Sequence, residues 1–180
     1  MADRKLGDLT FGMFLAFVAP GFIGFVAVSY HLPSARSWIE AAQKSEQSVG
    51  VFLFAALASI TCGVVISGLR DLIADPLFCS GCFGMTTKLQ LPKVGLKALS
   101  DPNVLAAFES AIENYYRYYQ FYANTAVAMS LLSLSRVTAT CPPVWPRAWW
   151  VVAAVLIILL SASAYGSLKR YATAVTEILS

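Results

Sequence analysis

The stretch AWWVVAAVLIILLSASAYGSL, at positions 148–168, contains no charged side chain. Two uncharged stretches of the same kind precede it: LTFGMFLAFVAPGFIGFVAVSY at 9–30 and VGVFLFAALASITCGVVISGL at 49–69. A helix needs about 20 mostly apolar residues to cross the hydrocarbon core of a bilayer. All three stretches are long enough, so each predicts a transmembrane helix. The length of the first favours an uncleaved anchor over a signal peptide, whose apolar region has about 7–15 residues.

The composition of the whole chain agrees with a membrane protein. Of its 180 residues, 58% are hydrophobic and 13% are charged. Soluble domains are about 45–50% apolar and about 25% charged. These values exclude a disordered chain, a disulfide-rich secreted domain and a basic nucleic-acid-binding protein. The lipid bilayer is the predicted partner, and no nucleic acid is expected.

A fourth span is predicted at 119–135, although polar residues such as Gln120 and Asn124 lower its hydropathy. Arg117 and Arg136 bracket this stretch, and no charged residue lies between them. We expect this helix to face protein or water rather than lipid. The predicted fold is all-α: a single polytopic membrane domain, 1–180, with four spans and a cytoplasmic region at 70–118.

The positive charges predict the orientation of these four spans, because cytoplasmic segments are enriched in Lys and Arg. With a cytoplasmic N-terminus, nine basic residues fall inside: Arg4, Lys5, Arg70, Lys88, Lys93, Lys97, Arg117, Lys169 and Arg170. Four fall outside: Arg36, Lys44, Arg136 and Arg147. We therefore expect a plasma (inner) membrane protein with both termini in the cytoplasm.

The segments between the spans are expected to be partly helical. Residues 34–46 could form a short amphipathic helix at the outer surface. The second span should continue to Ala74 and end at Asp75-Pro76, since the residue before proline avoids the α conformation. Asp101 and Pro102 are a good N-cap and a good first helical residue, so an unbroken helix is predicted over 102–135. Helices two and three would thus extend into a small cytoplasmic layer.

Polar residues recur at three- and four-residue steps along that third helix. The set comprises Glu109, Glu113, Arg117, Gln120 and Asn124, with Thr125 beside it. At about 100° per residue the first five fall within an arc of about 80°. Two interpretations stay open. Copies of this helix could line an aqueous path, or Glu113 and Arg117 could pair while Gln120 and Asn124 bind other helices.

Small residues form a second pattern, at four-residue spacing. On the first span they are Gly12, Ala16, Pro20 and Gly24, and on the second Ala55, Ser59, Gly63 and Ser67. Such ridges let membrane helices approach closely. They predict that the first span packs against the second, or that either packs against a neighbouring subunit.

The remaining candidate residues are few. Asp71 and Asp75 could form a cytoplasmic anionic ring in an oligomer or pair with Arg70. Cys79 and Cys82 have a metal-like spacing, but structural zinc needs four ligands, so no metal site and no cofactor is predicted. His31 at the outer end of the first span is expected to be an interfacial residue. Sets of residues typical of hydrolases, ATP-driven pumps or proton-coupled carriers are missing from the sequence, so an enzyme is not expected.

These patterns favour a homo-oligomeric membrane protein that forms an ion-conducting pore lined by the third helix. By analogy of architecture, it could act as a membrane-depolarising effector in bacterial antiviral defence. The first alternative is a non-conducting membrane adaptor whose region 70–118 docks a soluble partner. The second is a small lipid-handling membrane enzyme that uses Glu109, Glu113 or the cysteine pair.

Overall fold

The computed structural model describes residues 14–43, 49–79, 101–139 and 148–179, and every regular element in these ranges is a helix. Helix α1 joins a π-helical segment, Phe14–Val18, to an α-helical one, Ala19–Ser29. The next two are α2, Pro33–Gln43, and α3, Val49–Cys79. Helix α4 consists of Pro102–Ala111, the π-helical Ile112–Tyr116 and Arg117–Thr138. The last is α5, Ala148–Leu179.

Two of the described helices are long and apolar enough to cross a membrane. They contain the candidate spans Phe52–Pro76 (25 residues) in α3 and Ala148–Ile178 (31 residues) in α5. Helices α1 and α2 together qualify as a third, bent by 118° between Ala16–Ser29 and Pro33–Glu40. The described residues thus contain two such helices, or three with the bent pair. Of the predicted span 9–30, residues 9–13 lie outside them.

Helix α3 does not end at Ala74, as the sequence predicts, but continues through Pro76 to Cys79. A proline inside a helix leaves the carbonyl four residues earlier without a donor. That carbonyl belongs to Leu72, a residue that is 73% exposed, and Pro76 is exposed as well, so the proline ring lies on an open face of the helix. Asp75, the residue before the proline, is held by Arg70 and by Tyr119. These contacts offset the poor fit of this residue to the α conformation.

Helix α4 begins where the sequence predicts. The Asp101 side chain accepts a hydrogen bond from the Asn103 backbone N–H at 2.8 Å, and Pro102 is the first helical residue. The helix continues without a break to Thr138. The unpredicted feature is the π-helical segment at Ile112–Tyr116, which places more residues in a turn than an α-helix does.

Four helices pack side by side, with α4 against α5, α1 and α3, and with α1 against α3. One cluster joins α4 to α5 through Tyr119, Ala123, Ala164 and Leu168. The other joins α1, α4 and α5 through Ala27, Met129, Leu132 and Ala153. The first cluster lies toward what we call the Arg70 end, and the second toward the Arg136 end. Successive helices α1, α3, α4 and α5 therefore alternate in direction.

Candidate functional site

A fully buried polar contact joins α4 to α1. Asn124 is 0% exposed, and its Nδ2 donates a hydrogen bond to the Ala16 carbonyl at 2.8 Å. Pro20, four residues after Ala16, has no N–H with which to bind that carbonyl. Asn124 thus donates to a carbonyl that Pro20 cannot serve. Its own Oδ1 is buried and meets no donor within the described part of the chain.

The other residues of the predicted polar stripe lie in different surroundings. Glu113 and Arg117 are 3.8 Å apart at the Arg70 end, and Glu109 is exposed. The Thr125 hydroxyl donates to the Phe121 carbonyl at 2.6 Å on its own helix. Gln120 is half-buried and lies four residues after Tyr116 on the same helix.

The π-helical segment also changes the alignment of this stripe. The predicted arc assumes about 100° per residue throughout. The segment Ile112–Tyr116 lies between Glu109 and Arg117, and a π turn holds more residues than an α turn. Residues before and after it therefore lose the alignment that a regular α-helix would give them.

An ionic cluster forms around a buried arginine at the Arg70 end. Arg70 is 2% exposed and hydrogen-bonds Asp71, while its Nε lies 3.6 Å from the Asp75 carboxylate. The Tyr119 hydroxyl donates to that same carboxylate, and the Arg70 guanidinium lies 5.5 Å from the centre of the Tyr119 ring. The structure thus brings the two aspartates of the predicted anionic ring to an arginine of their own chain.

The cluster contains two carboxylates, of Asp71 and Asp75, and one guanidinium, of Arg70. Even so, one nitrogen of the guanidinium makes no hydrogen bond with them. Arg70 Nη1 is buried and has no acceptor among the described residues. Tyrosine rings surround the cluster: Tyr116 lies 5.8 Å from Tyr119 and 5.2 Å from Tyr171, between ring centres. Burial raises the pKa of Tyr116, opposed by the positive charge of Arg70. The hydroxyl therefore stays protonated and able to donate.

A second buried arginine lies at the opposite end. Arg136 is 7% exposed, and its guanidinium carbon lies 5.4 Å from the Tyr30 ring centre and 4.7 Å from that of Trp149. Next to it, Thr138 Oγ1 and His31 Nε2 are 3.3 Å apart. From the sequence, Arg136 was predicted only as one of the four basic residues outside the membrane, and its cluster with aromatic residues was not predicted. The signal was available, because aromatic residues end the predicted first span and begin the last.

Small residues bring α1 and α3 into backbone contact. A Cβ on Gly63 would lie 2.1 Å from the Phe17 carbonyl oxygen, and one on Gly21 would lie 1.9 Å from that of Ser59. A Cβ on Gly24 would meet the Ile66 side chain at 2.5 Å. Gly21, which the sequence pattern missed, is therefore part of the contact.

The other small residues of the pattern surround this contact. Ala16 and Ser59 are 1% and 2% exposed. The Ser59 hydroxyl donates to the Ala55 carbonyl at 2.8 Å, and Ser67 is half-buried. Gly12 lies outside the described residues.

Metal-binding geometry is not found in the described ranges, where no three His, Cys, Asp or Glu residues group together. The side chains of Cys79 and Cys82, and of most of the region between α3 and α4, lie outside the described part.

No known protein family, curated protein or solved structure matches the chain. A proposal about function therefore rests on the contacts between the helices described above.

Proposed function

We propose that the protein is a non-conducting membrane adaptor: a four-span inner-membrane protein whose helical layer at the Arg70 end docks a soluble partner in the cytoplasm. The alternating directions of α1, α3, α4 and α5 support four crossings with both termini on one side. The charge count of nine basic residues against four favours a cytoplasmic position for the Arg70 end.

The observation that carries the non-conducting character is the hydrogen bond from Asn124 to Ala16. An aqueous path needs polar groups that face it. The amide deepest in the bundle instead contacts a backbone carbonyl of the same chain and is 0% exposed. A pore lined by α4, the competing hypothesis, requires Asn124 to leave Ala16 and turn toward water.

The outer surface of the bundle favours the same conclusion. Helix α3 exposes Phe52, Leu57 and Val64, and α5 exposes Val151 and Ile158, each by more than half. Apolar surfaces of this kind fit lipid tails or a neighbouring apolar helix. An interface between copies of the chain that is formed by these surfaces would be apolar and would not hold a column of water.

The docking role is supported by the structured layer that α3, α4 and α5 form beyond the predicted spans. The contact of Tyr119 with Asp75 and the ring contact of Tyr116 with Tyr171 tie the three helices together. A groove on this layer has both polar and apolar lining, a mixture that resembles non-obligate protein interfaces. Its lining residues are Ala107, Ser110, Ala111, Asn114, Tyr115, Ala174, Glu177 and Ile178.

A binding experiment with matched variants tests this role. The full-length protein in lipid nanodiscs is used to capture soluble proteins, and each one identified is purified and titrated back against the nanodiscs. Ser110→Arg alters the groove, whereas Ser37→Arg alters an exposed serine on α2 at the other end. We expect saturable binding that weakens at least tenfold with Ser110→Arg and is unchanged with Ser37→Arg.

Two results would count against docking at this layer. One is that no captured protein rebinds saturably in purified form. The other is that Ser110→Arg and Ser37→Arg bind the partner with the same affinity as the wild type.

A further inference from the structure

Helix α2 divides its short length into an apolar and a polar face. Ala35, Trp38 and Ile39 point to one side, and Arg36, Ser37 and Glu40 to the other. On the polar face, Arg36 Nε and Glu40 Oε1 pair at 2.9 Å, with the two side chains 70% and 57% exposed. A helix that is polar on one face and apolar with Trp on the other is typical of helices that lie in a membrane interface.

The direction of α2 fits such a position. The chain bends by 118° between Ala16–Ser29 and Pro33–Glu40, so α2 runs nearly across α1 rather than along it. The turn is well formed, because the amides of His31 and Leu32 both donate to the Val28 carbonyl, at 3.0 and 3.1 Å. A helix that follows a membrane span at such an angle lies close to the membrane plane.

The apolar face of α2 is continuous with the apolar surface of a candidate span. Trp38 packs edge-on against Phe54 of α3, with ring centres 4.0 Å apart. Both rings stay partly exposed, at 41% and 42%, and Leu32 and Phe52 beside them are 51% and 72% exposed. These side chains extend the exposed surface of the candidate span Phe52–Pro76 onto α2.

We propose that α2 is a membrane-interface anchor: its occupant is the bilayer, with Trp38 at the boundary of headgroups and acyl chains and Arg36 and Glu40 in water. Indole rings favour this level because one edge is apolar and the N–H remains near polar groups. The anchor holds the Arg136 end of the bundle at a fixed depth. It depends on insertion of the chain in a membrane and not on the docking of a partner.

Depth-dependent fluorescence quenching tests the proposal with the full-length protein. Replacing Trp145, Trp149 and Trp150 by Phe leaves Trp38 as the only indole. The matched control carries these changes together with Trp38→Phe and Arg36→Trp, so that its single indole is on the polar face. Both are reconstituted in phosphatidylcholine vesicles containing lipids brominated near the top or near the end of the acyl chain. Unchanged helical circular dichroism shows that both variants are folded.

We expect bromines near the top of the chain to quench Trp38 more than bromines near its end, and aqueous iodide to quench it little. The Arg36→Trp control should show the reverse, with strong iodide quenching and a weak response to brominated lipid. Equal iodide quenching of the two indoles would place α2 in water and overturn the proposal. Protection of Trp38 from both quenchers would overturn it too, because the ring would then be covered by protein.

Discussion

The side-chain amide of Asn124 donates to the backbone carbonyl of Ala16 at 2.8 Å, and Pro20, four residues after Ala16, has no N–H to offer that carbonyl. The two residues are 108 positions apart in the sequence. Because Asn124 is fully buried, the contact fixes the position of α4 against α1. It also engages the amide that a pore along α4 would need.

This relationship predicts a specific coupling between Asn124 and Pro20. Asn124→Leu leaves the Ala16 carbonyl without its donor and should reduce the free energy of unfolding by about 1 kcal/mol, within the range for interhelical hydrogen bonds in membranes. In a Pro20→Ala background, residue 20 has an N–H that can bind that carbonyl. Asn124→Leu should therefore reduce the free energy of unfolding clearly less than it does in the wild-type background. Unfolding of the four proteins in mixed micelles measures the coupling. An equal cost in both backgrounds would show that Pro20 is not the reason for the contact.

The close approach of α1 and α3 predicts that two glycines of α3 respond differently to the same change. Gly63→Ala places a methyl group against the Phe17 carbonyl and should destabilise the bundle by about 1–3 kcal/mol, as overpacking does. Gly68→Ala meets nothing within 4 Å and should be neutral or stabilise the helix by up to about 1 kcal/mol. The same unfolding assay compares them. Equal effects would mean that the helices do not touch at Gly63.

At the Arg70 end, two neighbouring tyrosines give a matched pair. Tyr119→Phe keeps the ring beneath Arg70 but removes the hydroxyl that donates to Asp75, so it should cost about 1 kcal/mol or more of unfolding free energy. Tyr118→Phe removes a hydroxyl from a ring that is 46% exposed and should cost almost nothing. If both variants unfold like the wild type, the Asp75 contact does not stabilise the fold.

At the other end, Arg136→Met should destabilise the protein by about 2 kcal/mol, since a buried guanidinium between two aromatic rings is replaced by an uncharged side chain. The control, Arg36→Met, removes an exposed arginine whose i,i+4 pair contributes about 0.3–0.5 kcal/mol. In a background in which Trp38, Trp145 and Trp150 are replaced by Phe, Trp149 emission during unfolding follows the site directly. A smaller loss for Arg136→Met than for Arg36→Met would contradict this account of the cluster.

Much of the helical architecture could be predicted from residue patterns. Uncharged stretches predict the helices that begin at Val49 and Ala148, and Asp101 with Pro102 predicts the start of α4. These signals are local, since they depend on hydropathy and on the chemistry of a few neighbouring residues. The continuation of α3 past Pro76 was not predicted, because it accompanies contacts of Asp75 with Arg70 and Tyr119 that arise only on folding.

The candidate sites show the same limit. Asn124 was recognised as polar in a membrane-length stretch, and the carbonyl that Pro20 leaves at Ala16 can also be read from the sequence. Joining the two needs the packing of α4 on α1. The register of the polar stripe depends on the π-helical segment Ile112–Tyr116, for which the sequence has no local signal such as proline. The contacts of Arg136 with Tyr30 and Trp149 form only when three helices pack together, so the aromatic residues at the span ends did not by themselves predict them.

Ion flux from proteoliposomes tests the central claim most directly. The purified protein is reconstituted at several protein-to-lipid ratios in vesicles loaded with an ion-sensitive dye, and its leak is compared with that of protein-free vesicles and of the Asn124→Leu variant. The closed contact between Asn124 and Ala16 predicts no leak above that of empty vesicles at any ratio. A leak that rises with the protein ratio and changes in Asn124→Leu would contradict it, and would favour a pore lined by α4.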